Sequence, residues 1–220
     1  MRKMNLFVFL LIAVLLFSGC SKKQPTTLDN SGSTNGTVGE EVVKESEKEG
    51  EISLTDFFLP DGSNAHYQGD GNEFAELDIE VARPFEDYVV IHENNGGSLV
   101  RYIYKIEPDK VSILEKKTVE LVDDFPTQEE LDEMKATGIY LKKPIEKGAV
   151  FDTWTVIETD TTLDTPYKKF DHVFVIEMKT DEFTNRKYFA EGIGEIKREA
   201  IMHLEDGDFP VTSTIQTIDE

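Results

Sequence analysis

Apolar and polar residues alternate through much of the chain from residue 52 onward. The segment EDYVVIHENNGGSLVRYIYKIEPDKVSILEK (86–116) predicts three strands joined by two tight turns. Asn94–Gly97 supplies residues that tolerate positive φ, as hairpin loops require, and Glu107–Lys110 places proline where a type I turn favours it. Further strands are predicted at 150–158, at 170–180, at 186–204 (two strands broken at Gly192–Gly194) and at 210–218.

One segment has the pattern of a helix. Thr127 and Glu130 have the spacing of a capping box, and Gly138 follows at a position where helices commonly end. Many short strands with one short helix near 127–136 predict a mainly β fold. We expect a curved antiparallel sheet, in the form of a half-barrel or an open barrel-like structure.

The predicted strand faces contain two features with alternative interpretations. His172 shares the apolar face of the 170–180 strand, which predicts a buried, hydrogen-bonded histidine, with a ligand or general base as the alternative. Five aromatic residues either form the sheet's own core or line a ligand groove if the sheet curls without closing: Tyr102, Tyr104, Trp154, Phe174 and Phe189.

The N-terminus has the pattern of an export signal. A basic head (residues 1–5) precedes an unbroken apolar run, Leu6–Phe17. Twelve helical residues span about 18 Å, well short of the roughly 30 Å hydrocarbon core of a bilayer. A short apolar run after a basic head is typical of a secretory signal peptide and not of a transmembrane helix.

The run closes on Ser18, Gly19 and Cys20, the single cysteine of the chain. LLFSGC resembles the lipobox of bacterial lipoproteins, although Phe17 stands where leucine is usual. The resemblance implies cleavage between Gly19 and Cys20, a diacylglycerol thioether on Cys20, and often an acyl group such as palmitate on the new amino terminus. The protein would then be held on the extracytoplasmic face of the cell membrane. An uncleaved signal anchor is the alternative.

The segments that follow predict the organisation of the chain. Residues 1–19 are the predicted lipoprotein signal peptide. Residues 20–50 are the lipidated cysteine and a polar tether, which lacks aromatic residues and is expected to be disordered. Residues 51–220 are expected to form a single β-rich extracytoplasmic domain. A long polar tether resembles lipoproteins of Gram-positive bacteria, which implies that type of cell.

Composition limits the partners. The chain has a formal net charge of −21, from 23 basic and 44 acidic side chains. Nucleic acid is therefore not an expected partner, since such affinity comes largely from neutralising phosphates. We expect a monomer, with the membrane contacted through the lipid on Cys20.

A search for reactive motifs predicts no catalytic, metal or cofactor site. The chain lacks a G-x-S-x-G elbow, an H-E-x-x-H pair, a Walker loop and a cysteine-based zinc pattern. Gly192–Gly194 lacks the third glycine of a dinucleotide loop, so we interpret it as a bulge or bend. The acidic segments Asp70–Glu73 and Glu205–Asp208 are interpreted as turns, with calcium binding as the alternative.

A second resemblance covers roughly the last third of the chain. PIEKGAVFDTW (144–154) and YFAEGIGEIK (188–197) are similar to segments of uncharacterised secreted β-proteins and lipoproteins of bacteria. The resemblance implies a curved sheet and no particular activity.

Together these patterns favour a non-enzymatic binding or envelope-accessory lipoprotein whose partner is an envelope protein or a small apolar ligand. Two alternatives stay open. One is a hydrolase of cell-wall or glycan material that uses a pair of carboxylates, and the other is a structural component of the envelope.

Overall fold

The computed structural model describes residues 52–122 and 125–219, which form a twelve-stranded antiparallel sheet. The predicted signal peptide, the cleavage site at Gly19–Cys20 and the polar tether lie outside the described residues. Within the described ranges, no helix has the length and apolar character needed to cross a membrane.

The sheet is an up-and-down meander that nearly closes into a barrel. Each strand pairs with its neighbours in sequence, except that β6 and β7 do not pair with each other and form the two edges of the sheet. The strand β12 also pairs with β1. The strands are β1 (Asn64–Asp70), β2 (Leu77–Phe85), β3 (Tyr88–Asn94), β4 (Leu99–Ile106), β5 (Lys110–Val119), β6 (Gly138–Lys142), β7 (Val150–Phe151), β8 (Trp154–Asp164), β9 (Lys169–Lys179), β10 (Phe183–Ala190), β11 (Gly194–Leu204) and β12 (Gly207–Asp219). The predicted mainly β fold with a curved, open barrel-like sheet is confirmed.

The seam between β6 and β7 is joined by a side chain instead of a strand ladder. Asp152 lies in the turn after β7 at φ 47°, and its carboxylate accepts a hydrogen bond from the backbone N–H of Ile139 at 2.7 Å. One edge donor is thereby satisfied without strand pairing, which limits the exposure of an unpaired edge to other chains.

Several predicted elements match the structure and others differ. The three strands of 86–116 are β3, β4 and β5, and the break at Gly192–Gly194 is the turn between β10 and β11. The predicted 150–158 strand is wrong as a single element, because a turn at Asp152 and Thr153 divides it into β7 and β8. The last predicted strand is part of the longer β12.

The helix α1 (Gln128–Glu133) begins as predicted. The backbone N–H of Glu130 donates to the Thr127 hydroxyl, and the Glu130 carboxylate accepts from the backbone N–H of Thr127 at 2.8 Å. The helix does not continue to Gly138, because Met134 is already extended. Leu131 packs on the outer face of the sheet in a small second core with Val90 and Ile103.

A 3₁₀ helix at Leu54–Phe57, which the sequence pattern did not predict, closes one end of the barrel. The Phe57 ring packs edge-on against Phe174, with centroids 5.0 Å apart. The Arg83 guanidinium donates to the carbonyls of Thr55, Phe58 and Leu59 at 2.9–3.1 Å. We call this the plugged end, and we call the end with the β3–β4, β9–β10 and β11–β12 turns the open end.

Close packing fixes the plug in place. Gly194, at the start of β11, has φ 98°, and a Cβ atom there would lie 2.4 Å from the carbonyl oxygen of Phe57. Only glycine fits this approach without displacing backbone. The plug and the neighbouring strands bury Phe57, Phe174 and Phe189 to 4% exposure or less.

Candidate ligand groove and its charged floor

A groove opens between the strands at the open end. Register pairs place Met178, Asn185, Ala200 and Val211 in one row across β9 to β12, and Trp154 lies beside this row. The groove has a volume of about 320 Å³. We call it the mouth groove.

The opposite wall comes from the connection between β1 and β2. Phe74 and Leu77 line the groove from this side. Phe74 is 52% exposed, and its ring lies over Gly97, where a Cβ atom would be only 2.8 Å from the ring. The glycine therefore leaves the space in which the Phe74 ring sits above the groove.

Four charged residues form the floor of the mouth groove. Arg198 donates through Nη1 to Glu93 at 2.7 Å, from β11 to β3, and through Nε to Glu195. Lys187 donates to Glu195 at 2.9 Å. Glu93, Lys187 and Arg198 also line a smaller cavity of about 60 Å³, so the ion pairs separate this inner cavity from the mouth groove.

A β-bulge brings two of these residues to the same face. Tyr188 pairs with Lys197, but Phe189 pairs with Glu195, so Ile196 is the extra residue of β11. Without a bulge, residues three apart in a strand point to opposite faces. The bulge allows Glu195 and Arg198 both to point into the barrel and to contact each other.

Glu195 is an ionised carboxylate held by several partners. Burial by itself raises its pKa, but the charges of Arg198 and Lys187 and their hydrogen bonds outweigh this effect and lower the pKa to about 2. The Tyr140 hydroxyl donates to its carboxylate at 3.3 Å and the Tyr67 hydroxyl donates to its main-chain oxygen at 2.6 Å. A general acid needs a raised pKa, which is the opposite of what Glu195 has.

The five aromatic residues with alternative predictions divide between core and groove. Tyr104, Phe174 and Phe189 are buried in the core at 5% exposure or less. Tyr102 lines the inner cavity, and burial raises the pKa of its hydroxyl to about 12. Trp154 is only partly buried and lines the mouth groove.

The prediction that His172 lies on an apolar face is wrong. Thr161 pairs with Val173 and Leu163 with Phe170, so Asp171 and His172 together oppose a single residue of β8. This irregularity turns His172 outward at φ 55°. Its side chain is 87% exposed and lies 2.7 Å from Asp160.

His92 is the buried histidine of the described chain, on the outer face of β3. Burial and the nearby charge of Arg101 lower its pKa, and its Nε2 has no hydrogen-bond partner among the described residues. The Phe125 ring packs edge-on against it at 5.7 Å. Across residues 52–122 and 125–219, no group of three or more His, Cys, Asp or Glu has an arrangement that could hold a metal ion.

The charged floor could not be found from the sequence pattern. Glu195 and Arg198 are predicted to lie on opposite faces of a strand, and Glu93 is 105 residues away from Arg198. The one local signal is the glycine-bounded turn before Glu195, which was interpreted correctly as a bend but gave no information on the bulge that follows it.

The comparisons with known proteins find similarity in overall structure only. No protein-family model and no curated protein matches the chain. A protein of Bacteroides fragilis NCTC 9343, described as exported and with a YmcC-like fold, is 14% identical with a TM-score of 0.48, over 74% of this chain and 98% of its own. A protein of Parabacteroides distasonis ATCC 8503, described as a lipoprotein, is 11% identical with a TM-score of 0.43, over 77% and 100%.

Both descriptions name the class of protein that the sequence predicts here, exported or lipid-anchored. At this level of similarity neither protein transfers a location, a ligand or a residue role to this chain. The lipid on Cys20 stays a prediction from the sequence, and neither likeness supports the Gram-positive location.

Proposed function

We propose that this chain is a lipid-anchored, extracytoplasmic binding protein that holds a small ligand with an apolar body in the mouth groove. The anchor is the lipid predicted on Cys20, which connects the protein to the membrane. The binding role is non-enzymatic, and the protein acts as a monomer.

The mouth groove is the observation that carries this proposal. Small-molecule sites are concave, mostly apolar and supplied with a few polar groups that fix the orientation of the ligand. Trp154, Met178 and Leu77 provide apolar wall, whereas Asn185 and the floor residue Arg198 provide polar groups. The Arg198 side chain is 31% exposed, so it is accessible to a molecule in the groove.

The carboxylates of the floor do not favour the hydrolase alternative. A glycosidase pair needs one carboxylic acid that gives up its proton near neutral pH. Glu195 has a pKa of about 2 and is held by Arg198 and Lys187. Glu93 is engaged by Arg198 as well.

Native mass spectrometry of the protein purified from its own host tests the binding role. We expect a retained small molecule that is released on denaturation and that restores binding when added back. Trp154 is the only tryptophan, so its fluorescence reports on the groove alone. A preparation that carries no small molecule, and whose Trp154 emission does not respond to extracts of the host envelope, would contradict the proposal.

Two substitutions on one strand provide a matched control. Ala200 lines the groove, so Ala200→Phe fills it and should abolish ligand retention. Ile201 is the next residue of β11 and points to the opposite face, so Ile201→Phe adds a similar ring outside the groove. Equal retention by the two variants would show that the ligand binds elsewhere.

The anchor is tested separately at Cys20. In its host, the wild-type protein should begin at residue 20 and carry the mass of a diacylglycerol. Cys20→Ser should lose the lipid and accumulate as a larger precursor, because the lipoprotein peptidase acts after lipid attachment. A wild-type chain that keeps residues 1–19 and a free thiol at Cys20 would contradict the anchor.

A further inference from the structure

The turns around the open end carry a strongly negative net charge. They are the segments 70–77, 94–99, 119–122, 151–154, 179–183 and 204–208. Lys179 is the one lysine or arginine in these described segments. Their carboxylates are Asp70, Glu73, Glu76, Glu120, Asp152, Asp181, Glu182, Glu205, Asp206 and Asp208.

Taken together, the turns at the plugged end have both signs. The segments 106–110, 142–150 and 164–169 contain lysines together with acidic residues, whereas 85–88 and 190–194 contain only Glu86, Asp87 and Glu191. Lys110 forms an ion pair with Glu107 at 3.4 Å, and Lys147 forms one with Glu158 of β8 at 3.0 Å. The overall negative charge of the chain is therefore not spread evenly, and the open end is the more strongly acidic of the two.

The floor of the groove does not offset this charge. Its two cations, Lys187 and Arg198, are matched by two carboxylates, Glu93 and Glu195. The turn carboxylates surround the groove and are not among its lining residues. A net charge of one sign around a cleft raises the local concentration of ligands of the opposite sign. The turns of the open end therefore determine which sign of ligand charge the mouth groove prefers.

Apolar side chains lie between these acidic turns. Phe183 pairs with Met202, and Met202 pairs with Phe209, one row further toward the open end than Ala200. Met202 is 42% exposed and Phe209 is 39% exposed. Exposed apolar rows with a polar rim are typical of binding surfaces.

Building on the proposed function, we propose that the ligand of the mouth groove is a small cationic amphiphile. Its apolar body lies on the row from Trp154 to Val211 and on Met202. Its positive group lies among the carboxylates of the β9–β10 and β11–β12 turns. An anionic molecule of the same shape is repelled from the same site.

Three probes with one chain length test this inference: octylammonium, octanol and octanoate, each below its aggregation concentration. The protein is the chain from residue 20 with Cys20→Ser, which keeps every described element and carries no lipid. Binding is followed by Trp154 fluorescence at pH 7 in low salt. We expect octylammonium to bind about tenfold more tightly than octanol, and octanoate to bind least.

Salt gives a second readout. The preference for octylammonium over octanol should shrink at 0.5 M sodium chloride, because the interactions with the exposed carboxylates are screened. The affinity for octanol should change little. A preference for octylammonium that is unchanged in high salt would overturn the role of the carboxylates in the open-end turns.

A charge-matched pair of variants locates the effect. Asp181→Asn, Glu182→Gln, Glu205→Gln and Asp206→Asn together remove four exposed charges at the open end and should remove most of the preference for the cation. The control removes four exposed charges at the plugged end, with Glu86→Gln, Asp109→Asn, Glu146→Gln and Glu191→Gln, and should keep it. Equal losses in the two variants would overturn the inference.

The possible failures are distinguishable. If octanol and octanoate bind as tightly as octylammonium, the cationic ligand is wrong and the groove as a binding site stands. If no probe changes the Trp154 emission and Ala200→Phe makes no difference, the groove itself is wrong and this inference fails with it.

Discussion

The two ends of the barrel are made from the same twelve strands and differ in almost every other respect. At the plugged end, Phe57, Phe174 and Phe189 pack in a buried aromatic cluster, and Phe174 stacks on Phe189 with centroids 4.8 Å apart. At the open end, apolar residues such as Leu204 and Met202 are exposed to 57% and 42%. Among the described residues, the turns of the plugged end have seven carboxylates and six lysines, and the turns of the open end have ten carboxylates and one lysine.

This difference separates stability from binding. Burying apolar surface stabilises the fold, and the plug supplies much of that burial at one end of the barrel. The open end leaves apolar side chains such as Met202 and Leu204 exposed, which is typical of a binding surface. We therefore expect substitutions at the plugged end to change the free energy of unfolding, and substitutions at the open end to change binding.

The largest effect is expected from removing the plug. A chain that begins at Pro60 lacks Leu54, Phe57, Phe58 and Leu59, all of which are at most 5% exposed. Since each large core deletion costs about 2–5 kcal/mol, this chain should not unfold cooperatively in thermal or urea denaturation.

The matched control begins at Glu51 and keeps the plug. Residues 21–50 are predicted to be a disordered tether, so their removal should change the melting temperature by no more than a few degrees. A cooperative transition in the chain from Pro60 would show that the plug is not needed for the fold. A large loss in the chain from Glu51 would contradict the tether.

The charged floor between the two ends should have the next largest effect. Arg198→Met leaves Glu195 buried with Lys187 as its remaining cation. Removing one partner of a buried ion pair costs about 3–5 kcal/mol, and urea denaturation at pH 7 measures the loss. Arg186→Met is the control, because Arg186 forms an ion pair with Glu177 on the opposite face of the sheet. The Glu177 side chain is 20% exposed and Glu195 is 7% exposed, so water screens the Arg186 pair more and its loss should cost less.

The pH dependence gives this prediction a sign. The pKa of Glu195 is lowered from 4.5 to about 2 in the folded protein. Its contribution to stability is therefore fully present above about pH 4.5 and is lost as the pH falls toward 2. The difference in unfolding free energy between wild type and Arg198→Met should shrink over this range, and a constant difference would contradict the role assigned to Glu195.

Sequence patterns predicted the parts of the fold in which local signals agree. In β3 to β5 the alternation and the turn residues of Asn94–Gly97 point to the same hairpins, and the capping box at Thr127 correctly locates the start of α1. The strands β1, β2 and β6 were missed. β1 (NAHYQGD) buries only Ala65 and Tyr67, and β6 is a five-residue edge strand, so their patterns are weak. β2 does alternate between buried and exposed residues in its first half, and this signal was overlooked.

The candidate site could be predicted only in part. Trp154 was predicted to lie either in the core or in a groove, and in the structure it lines the mouth groove. His172 and Glu195 were misplaced or missed because irregular pairing next to them changes which face a residue occupies. A period-two pattern carries no information about such a shift, since one extra residue inverts every face beyond it.

A smaller effect on stability is expected at Trp154. The ring is only partly buried, so Trp154→Ala should cost about 1–2 kcal/mol, less than a fully buried ring would. Phe189→Ala is the plugged-end counterpart at 0% exposure and should cost about 3–5 kcal/mol. The effect on binding should be the opposite. We expect Trp154→Ala to lose the ligand and folded Phe189→Ala to keep it, and native mass spectrometry of the two variants measures ligand retention.

The smallest effect on stability is expected at the outermost apolar residue of the open end. Leu204 is 57% exposed and lies next to the β11–β12 turn, so Leu204→Ser should change the free energy of unfolding by no more than about 0.5 kcal/mol. The same substitution removes apolar surface beside the carboxylates of the open-end turns. We expect it to weaken octylammonium binding severalfold. Urea denaturation and Trp154 fluorescence measure the two quantities on one sample. A loss of stability without a loss of binding would place Leu204 in the core and would remove the division of roles between the two ends.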